Sequence, residues 1–350
     1  MHRDLEIERR LRNTRTIEWK NGAAVTIDQT KLPHRLVYIR MTNSHQVASA
    51  IKTMKIRGAP LIGAAAAFGL ALTATRSKAK SKKELITQLK ESAQLLKDTR
   101  PTGVNLFWAV DRLIKKVNET PNADVNEIKN LVVQEALRIA DEDVQMNRKI
   151  GEHGSKLISD GDTILTHCNA GALATVGYGT ALGVVRAAWE QGKKISVIAT
   201  ETRPKLQGAR LTAYELKSMG VPFKLITDNM VGYVMSKGMI SMVIVGADRI
   251  VRDAVVNKIG TYSIAVLAHE HSVPFYAAAP SSTFDLIHTA RDVAIEERNP
   301  EEVTKIGSKR SAPQGTIALN PAFDITPMKY VTAIICDKGV LNPKELQQLL

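Results

Sequence analysis

Short apolar runs rich in β-branched residues alternate with helical patterns from Asp162 to the C-terminal region of the chain. The runs are TILTH, ISVIAT, FKLIT, SMVIVGAD, PFYAAAP and VTAIICD. Buried strands that are separated by helices are typical of a parallel sheet covered by helices on both faces. The pattern therefore predicts a doubly wound parallel sheet in an α/β fold.

The N-terminal third has a different pattern, which is mainly helical with a small β element. Three short runs predict strands there, and the turn signals Asn21-Gly22 and Pro33 separate them. Helical periodicity follows over residues 44–55, 61–73, 83–96 and 105–117. We expect Ser44 to cap the first of these helices.

A polar segment with a proline, residues 118–126, separates two helical patterns and is the candidate domain boundary. The length of 350 residues also favours two domains. We expect a helical domain with the small β element over residues 1–124. A Rossmann-like α/β domain would then occupy residues 125–350.

The two cysteines, Cys168 and Cys336, lie in or beside predicted strands, and two cysteines form neither a disulfide framework nor a zinc site. The N-terminus is charged from its second residue. We also expect no uncharged apolar stretch that approaches the ~20 residues needed to span a bilayer. These features predict a cytoplasmic protein with reduced thiols, and no membrane partner.

The net charge of +13 would suit an anionic partner. The basic groups, such as the run over residues 76–85, have no interleaved aromatic residues on which bases could stack. We therefore expect no nucleic-acid binding, and we interpret these runs as solvated surface.

Polar residues follow five of the predicted strands: Cys168, Glu201, Asp228, Asp248 and the pair Ser281-Ser282. Ligands of open α/β sheets lie outside the carboxyl ends of the strands, so these positions are candidates for a site. Asp248 ends a hydrophobic strand, where an apolar surrounding would keep its carboxyl group protonated and suited to act as a general acid.

Each of the other positions has a structural alternative. Cys168 lies among small residues and could be a buried thiol without chemistry. Asp228 would serve as a helix N-cap, and Glu201 could pair with Arg203. His167 points away from Cys168 if side chains alternate along the strand, so the two residues do not predict a dyad.

Other candidate sites receive less support. His269 and His271 are two residues apart on a predicted helix and lie on nearly opposite sides, which disfavours a metal site. The glycines of GYGTALG have the wrong spacing for a dinucleotide fingerprint. We therefore expect neither a metal nor an organic cofactor.

Three cations precede predicted helices. Arg57 stands before Gly58 and Ala59, whose amides would open a helix with Pro60 near its start. Arg100 precedes Pro101 and another helix, and Lys258 precedes a third. Helix starts attract phosphate, so these cations, together with Cys168 and Asp248, predict a small phosphorylated substrate.

A set of motifs between about Trp19 and Gly339 resembles the methylthioribose-1-phosphate isomerases. These belong to a wider group with the ribose-1,5-bisphosphate isomerases and regulatory subunits of the exchange factor of translation initiation. The motifs are RGAP, RPTGVNL, CNAG, ETRPKLQGARLTAYEL, VGADRI, NKIGTY, PFYAAAPSSTFD, IEERNPEEV and NPAFDITP.

The resemblance implies an aldose–ketose isomerase that acts as a homodimer, with Cys168 and Asp248 facing the sugar and Asp248 donating a proton. It implies substrate binding by Arg57, Gly58, Ala59, Arg100, Gln207, Asn257 and Lys258. The alternatives are isomerisation of 5-deoxyribose 1-phosphate or ribose 1,5-bisphosphate, or a non-catalytic regulatory subunit.

Three details refine this expectation. The segment between Asp248 and Asn257 is one residue shorter than is usual in the family and has no glycine. A helix start at residues 170–175 would lower the pKa of Cys168. Small residues in that stretch would also form an apolar pocket for a methylthio group.

Overall fold

The computed structural model describes residues 15–100 and 103–346, so the charged N-terminus lies almost wholly outside the described residues. A three-stranded antiparallel sheet opens the described chain, in the order β1-β2-β3. Its strands are β1 (Ile17–Lys20), β2 (Ala23–Ile27) and β3 (Tyr38–Met41). The predicted small β element is confirmed.

Five helices follow: α1 (Ser44–Lys52), α2 (Ala59–Arg76), α3 (Lys82–Lys97), α4 (Val104–Asn118) and α5 (Val125–Ser155). The expected cap of α1 is wrong by one residue. Asn43 is the N-cap, and its side chain accepts a hydrogen bond from the Gln46 amide, while Ser44 is already helical and buried. An extended backbone at Asn43 lets its short side chain reach back to that amide.

Helix α2 lies in the middle of the N-terminal hydrophobic core, where its alanines and glycines allow close packing. It corrects one expectation, because it is long and apolar enough to cross a membrane by length and composition. The share of it that is buried inside the protein is 72%. Its apolar surface therefore packs against the other helices of this part of the chain.

The predicted parallel sheet is present and has seven strands in the order β16-β15-β10-β7-β4-β5-β6. All neighbours pair in parallel except the edge strand β16, which is antiparallel to β15. The strands are β4 (Thr163–Thr166), β5 (Ser196–Thr200), β6 (Phe223–Ile226), β7 (Met242–Val245), β10 (Phe275–Ala278), β15 (Ala333–Cys336) and β16 (Gly339–Leu341).

The strand order reverses between β4 and β7. From β4 the chain proceeds outward to β5 and β6, and it then returns to place β7 on the other side of β4. Such a switch point leaves a crevice at the carboxyl ends of the two central strands. Cys168 follows β4 and Asp248 follows β7, so the topology brings these two residues to one crevice.

A second sheet of four strands, in the order β11-β8-β9-β14, stands next to this crevice. Its strands are β8 (Arg249–Val251), β9 (Ala254–Lys258), β11 (Phe284–Asp285) and β14 (Phe323–Pro327). The short segment after Asp248 is thus a β-hairpin, with β8 and β9 antiparallel. The hairpin returns Asn257 and Lys258 to the level of Asp248, whose amide donates to the Val256 carbonyl.

The remaining elements cover the large sheet or lie in its connections. The helices are α6 (Ala181–Glu190), α7 (Ala213–Met219), α8 (Val231–Ser236), α9 (Thr261–Glu270) and α10 (Glu301–Thr304). A small hairpin is formed by β12 (Lys305–Ile306) and β13 (Lys309–Arg310). One π-helical turn, Gly208–Thr212, runs directly into α7.

Helix α5, with 31 residues, contributes to two hydrophobic cores. Its N-terminal half packs in the core around α2 through residues such as Ile128 and Ile139. Its C-terminal half packs against the parallel sheet through Ile150. The division of the chain at residue 124 stays a prediction.

Candidate active site

A cavity lies at the switch point between β4 and β7. Each of the predicted site residues is on its wall: Cys168, Asp248, Arg57, Gly58, Ala59, Arg100, Gln207, Asn257 and Lys258. The fold therefore gathers into one place residues that are up to about two hundred positions apart in the chain. Their individual roles remain predictions.

Cys168 stands directly after β4 and is held by its backbone. Its φ of 60° is in the left-handed region, its amide donates to Thr202 Oγ1 at 2.9 Å, and its carbonyl accepts from Thr212 Oγ1 at 2.6 Å. This geometry fixes the main chain and leaves the half-buried thiol on the cavity wall.

Burial raises the pKa of the Cys168 thiol, and the nearby charges of Arg57 and Lys258 oppose this rise. The expected helix start that would lower this pKa is wrong, because only a 3-10 turn, Ala172–Ala174, forms there. The loop instead closes on the carboxylate of Glu215, which accepts from the Ala172 amide at 2.7 Å.

Asp248 is half-buried and faces the same cavity as Cys168. Within the described part of the chain its carboxylate accepts no hydrogen bond. The neighbouring Arg249 forms an ion pair with Asp285 instead, as expected for adjacent residues that face opposite sides of a strand. The Asp248 carboxyl group is therefore available to a ligand.

The start of α2 forms one end of the cavity. Gly58 is its N-cap with a φ of 100°, and a Cβ at this position would lie 2.4 Å from the Ala174 carbonyl oxygen. Arg57 is buried beside it and donates to Asn169 Oδ1 at 2.5 Å and to the Asn169 carbonyl at 2.7 Å. The predicted helix start with a neighbouring guanidinium is confirmed.

Arg100 approaches the cavity beside a cation that sequence reasoning missed, Arg298. Both guanidinium groups contact Glu296, at 3.2 Å from Arg100 Nε and 2.9 Å from Arg298 Nε. Burial alone would raise the pKa of Glu296, but the positive charges of Arg100 and Arg298 lower it below its usual value. Arg298 lies in the quoted motif IEERNPEEV, which was the available signal.

Lys258 is the last residue of β9 and lies three residues before α9, so it precedes a helix as expected but is positioned by the strand. Its Nζ donates to the Ala322 carbonyl at 2.6 Å and lies 4.5 Å from the centre of the Phe323 ring. Burial lowers the pKa of Lys258 to about 8, while Cys168 and Asp248 oppose this fall. Asn257 donates to Thr261 Oγ1 at 3.0 Å.

Gln207 is buried on the cavity wall, and its Oε1 has no hydrogen-bond partner within the described residues. Such an atom is costly to bury without a partner. A ligand hydroxyl in the cavity would satisfy it.

Of the other strand-end residues, Asp228 and His167 are held by hydrogen bonds to protein groups, and His167 also lines the cavity. Asp228 is not the expected helix cap, since its carboxylate accepts from the amides of Thr202 and Arg203 at 2.7 and 2.6 Å. Glu201 and Ser281 are not on the cavity wall. His167 is a buried histidine whose Nδ1 contacts Thr200 Oγ1 at 2.6 Å and whose Nε2 contacts the Ile259 carbonyl at 2.8 Å.

A second, mostly apolar chamber adjoins the cavity and shares Ala59, Arg100, Asp248 and Phe323 with it. Its remaining wall is formed by Ile62, Gly103, Leu106, Arg249, Val256, Val293, Ala294 and Ile295. The apolar space is therefore in this second chamber, which Asp248 borders. Ala170 and Ala174, which were expected to form an apolar pocket, line the main cavity instead. Among the described residues, no group of three or more His, Cys, Asp or Glu could hold a metal ion.

The fold and the site define a Rossmann-like α/β protein with a cationic ligand cavity at the switch point of its parallel sheet. The chain belongs to the Initiation factor 2 subunit family, whose sequence profile matches residues 55–343.

Several similar proteins carry a more specific name. A methylthioribose-1-phosphate isomerase of Carboxydothermus hydrogenoformans is 53% identical over 330 residues, which is 94% of this chain and 96% of that protein. A solved 5-methylthioribose 1-phosphate isomerase from Pyrococcus horikoshii is 47% identical, with a TM-score of 0.89 over 100% of this chain and 98% of that one.

Another solved structure, from Archaeoglobus fulgidus, is named the delta subunit of translation initiation factor eIF-2B. It is 52% identical, with a TM-score of 0.84 over 96% of this chain and 98% of that one. Proteins named as isomerases and a protein named as a translation initiation factor subunit are therefore similar to this chain at the same level.

Proposed function

We propose that this chain is an aldose–ketose isomerase that converts 5-methylthioribose 1-phosphate to 5-methylthioribulose 1-phosphate in methionine salvage. The observation that carries the proposal is the joint placement of a thiol and a carboxyl group, Cys168 and Asp248, on the wall of one cationic cavity. The names of the similar enzymes support the same reaction.

The phosphate would bind at the cationic end. Arg57, Arg100, Lys258 and Arg298 surround the cavity, and the N-terminus of α2 adds the amide at Ala59. Charged donors and a helix N-terminus together suit a phosphate dianion. The negative charge of Glu296 offsets part of the positive charge of these four residues. The positive charge that remains suits one phosphate.

Asp248 would supply acid catalysis. In an aldose 1-phosphate the anomeric oxygen is esterified, so the ring cannot open to a free aldehyde, and breaking the bond between C1 and the ring oxygen requires a proton on that oxygen. A carboxyl group that forms no hydrogen bond with the described residues can deliver this proton when the substrate closes the site. After ring opening, Asp248 is the carboxylate.

Cys168 would act at C1 and C2, by one of two routes. In the first, the thiolate removes the C2 proton, an enol phosphate forms, and the resulting thiol returns a proton to C1. In the second, hydride moves directly from C2 to C1 and Cys168 acts through its charge and position. In both routes the proton of the 2-hydroxyl group passes to the Asp248 carboxylate as the C2 carbonyl forms, which restores the acid. Substrate deuterated at C2 distinguishes them, because the first route exchanges the label with solvent and the second retains it.

The apolar chamber supports an uncharged group at C5. The ring oxygen joins C1 to C4, and C5 is attached to C4. A ring oxygen near Asp248 therefore directs C5 toward the chamber that Asp248 borders, away from the phosphate. A methylthio group gains from burial there, while a 5-phosphate would lose its hydration.

The assembly and location belong to the same proposal. We expect a homodimer in the cytoplasm that acts without metal or organic cofactor and binds neither nucleic acid nor membrane. Sedimentation should give about twice the chain mass of 38.3 kDa. A monomer, or RNA binding that persists at high salt, contradicts this part.

The decisive experiment compares turnover of methylthioribose 1-phosphate, 5-deoxyribose 1-phosphate and ribose 1,5-bisphosphate at equal concentration. Preference for methylthioribose 1-phosphate supports the proposal. Preference for 5-deoxyribose 1-phosphate would retain the proposed reaction with a different substituent at C5. Preference for the bisphosphate overturns the single-phosphate site. Binding without turnover of any of the three would indicate a non-catalytic regulatory subunit.

A further inference from the structure

We propose that Glu215 is a positioning residue that fixes Arg57 in the cavity through Asn169, an inference that rests on the proposed function. Glu215 stands on α7 and is buried, with 6% of its surface exposed. It does not line the cavity, so it would act on the substrate only through its neighbours.

The Glu215 carboxylate accepts hydrogen bonds from three donors. Asn169 Nδ2 lies 2.8 Å from Oε1, the Leu173 amide lies 3.2 Å from the same oxygen, and the Ala172 amide lies 2.7 Å from Oε2. A Cβ on Gly171 would lie 2.3 Å from this carboxylate, so the loop can close around it only with glycine at that position.

These contacts determine how the Asn169 amide is turned. A carboxylate only accepts, so Asn169 must present its Nδ2 to Glu215. Its Oδ1 then faces Arg57, whose Nη1 donates to it at 2.5 Å, and the Asn169 carbonyl receives Nη2 at 2.7 Å. Glu215 therefore selects the amide orientation that holds the guanidinium with two hydrogen bonds.

The arrangement also joins two opposite charges across one buried amide. Arg57 is 8% exposed, and without fixed partners a buried guanidinium would have to reorient in each binding event. Fixing it before the phosphate arrives removes that cost, which is how preorganised groups raise affinity.

Glu215→Gln should expose this role. Glutamine replaces one carboxylate oxygen with an NH2 group, which cannot accept a hydrogen bond. At least one of the three donors to Glu215 then loses its partner, and Asn169 shifts. We expect KM for methylthioribose 1-phosphate to rise about 10- to 100-fold with kcat little changed, because Arg57 would hold the phosphate in both the ground and transition states.

A double-mutant cycle with Arg57→Ala separates positioning from a purely structural effect. If Glu215 acts through Arg57, Glu215→Gln causes little further loss of kcat/KM once Arg57 is absent. If the losses of kcat/KM in the two single variants multiply in the double variant, Glu215 does not act through Arg57 and the inference is wrong.

Glu135→Gln is the matched control, since Glu135 is a similarly buried helical carboxylate that pairs with Arg112 away from the cavity. It should lower thermal stability without raising KM. If Glu215→Gln does not fold, Asn169→Ala breaks the same connection and enters the same cycle, where independent losses again overturn the inference. Wild-type protein without turnover would contradict the proposed function, whereas active wild type with independent losses contradicts only the role of Glu215.

Discussion

The backbone amide of Cys168 donates to Oγ1 of Thr202 at 2.9 Å, and both residues have a φ in the left-handed region, 60° and 65°. They follow the neighbouring parallel strands β4 and β5. The Thr202 amide is held in turn by Asp228 after β6. Hydrogen bonds thus connect the ends of three strands, from Asp228 after β6 to Thr202 after β5 and on to Cys168 after β4. The bond between Thr202 and Cys168 fixes the backbone that presents the thiol.

Cys168→Ser should keep the fold and substrate binding, because the contacts of residue 168 with Thr202 and Thr212 are made by its backbone. We expect kcat to fall about 10²- to 10⁴-fold, the range of a lost proton-transfer group. Steady-state kinetics and calorimetric titration with methylthioribose 1-phosphate measure the two effects. Cys336→Ser, at a buried cysteine off the cavity wall, is the control, and near-normal turnover of Cys168→Ser would make that thiol structural.

Asp248→Asn retains the shape of the side chain but cannot donate the carboxyl proton. We expect kcat to fall about 10²- to 10⁴-fold at every pH tested, because no change of pH restores the acid. Asp253→Asn, in the turn of the same hairpin, should have wild-type kcat. An Asp248→Asn variant that regains activity at low pH would contradict the acid role.

Substrate affinity should weaken above about pH 8. Burial lowers the pKa of Lys258 to about 8, so in the free protein its charge is present below that pH and is lost as the pH rises through it. KM measured from pH 6 to 10 should rise above pH 8. Lys258→Arg should move this rise to higher pH, since a guanidinium stays charged, while the surface variant Lys329→Arg should leave the profile unchanged. Identical profiles for all three proteins would remove Lys258 from phosphate binding.

Gly58→Ala and Gly161→Ala form a matched pair at two positive φ values, 100° and 89°. A Cβ at residue 58 meets the Ala174 carbonyl oxygen at 2.4 Å, whereas nothing lies within 4 Å of one at residue 161. We expect a loss in the free energy of unfolding of about 2 to 4 kcal/mol for the first and about 1 kcal/mol for the second. Urea titration measures both, and only Gly58→Ala should also raise KM. Equal losses would show that backbone strain alone matters at Gly58.

Val293→Lys places a charge in the wall of the apolar chamber. We expect kcat/KM for methylthioribose 1-phosphate to fall about 10- to 100-fold and the discrimination against ribose 1,5-bisphosphate to shrink. Val340→Lys, at a partly exposed valine of the edge strand, should change neither value. Unchanged discrimination in Val293→Lys would place the C5 group elsewhere.

The parallel sheet and part of the candidate site could be predicted from local signals, whereas Gln207 and Asn257 were named only because of the family resemblance. Apolar runs identify the strands, and the switch-point rule gives meaning to Cys168 and Asp248 at their ends. Arg57 and Gly58 were found because a proline marks the helix start beside them. These are properties of a few consecutive residues.

The misses depend on surroundings that consecutive residues do not specify. Arg298 lies in a connection without a helix or strand, and its long-range contacts are made by its amide with the Asn320 carbonyl at 3.0 Å and by its guanidinium with Met54 Sδ at 3.9 Å. The pKa of Cys168 depends on burial by several elements, which outweighs the charges nearby. The hairpin β8-β9 lacks the glycine that usually announces such a turn, and pairing with β11 and β14 stabilises it instead.

Helix α5 has its two halves in different hydrophobic cores, one around α2 and one against the parallel sheet. A helix embedded at both ends couples the N-terminal core to the sheet, so a hinge motion between them would require α5 to bend. Both parts contribute to the cavity wall, and an opening that leaves α5 straight would have to displace a connection at the rim, such as the one that carries Val293 and Arg298. Opening the site by displacing a loop preserves both cores, whereas swinging one core away from the other would require α5 to bend.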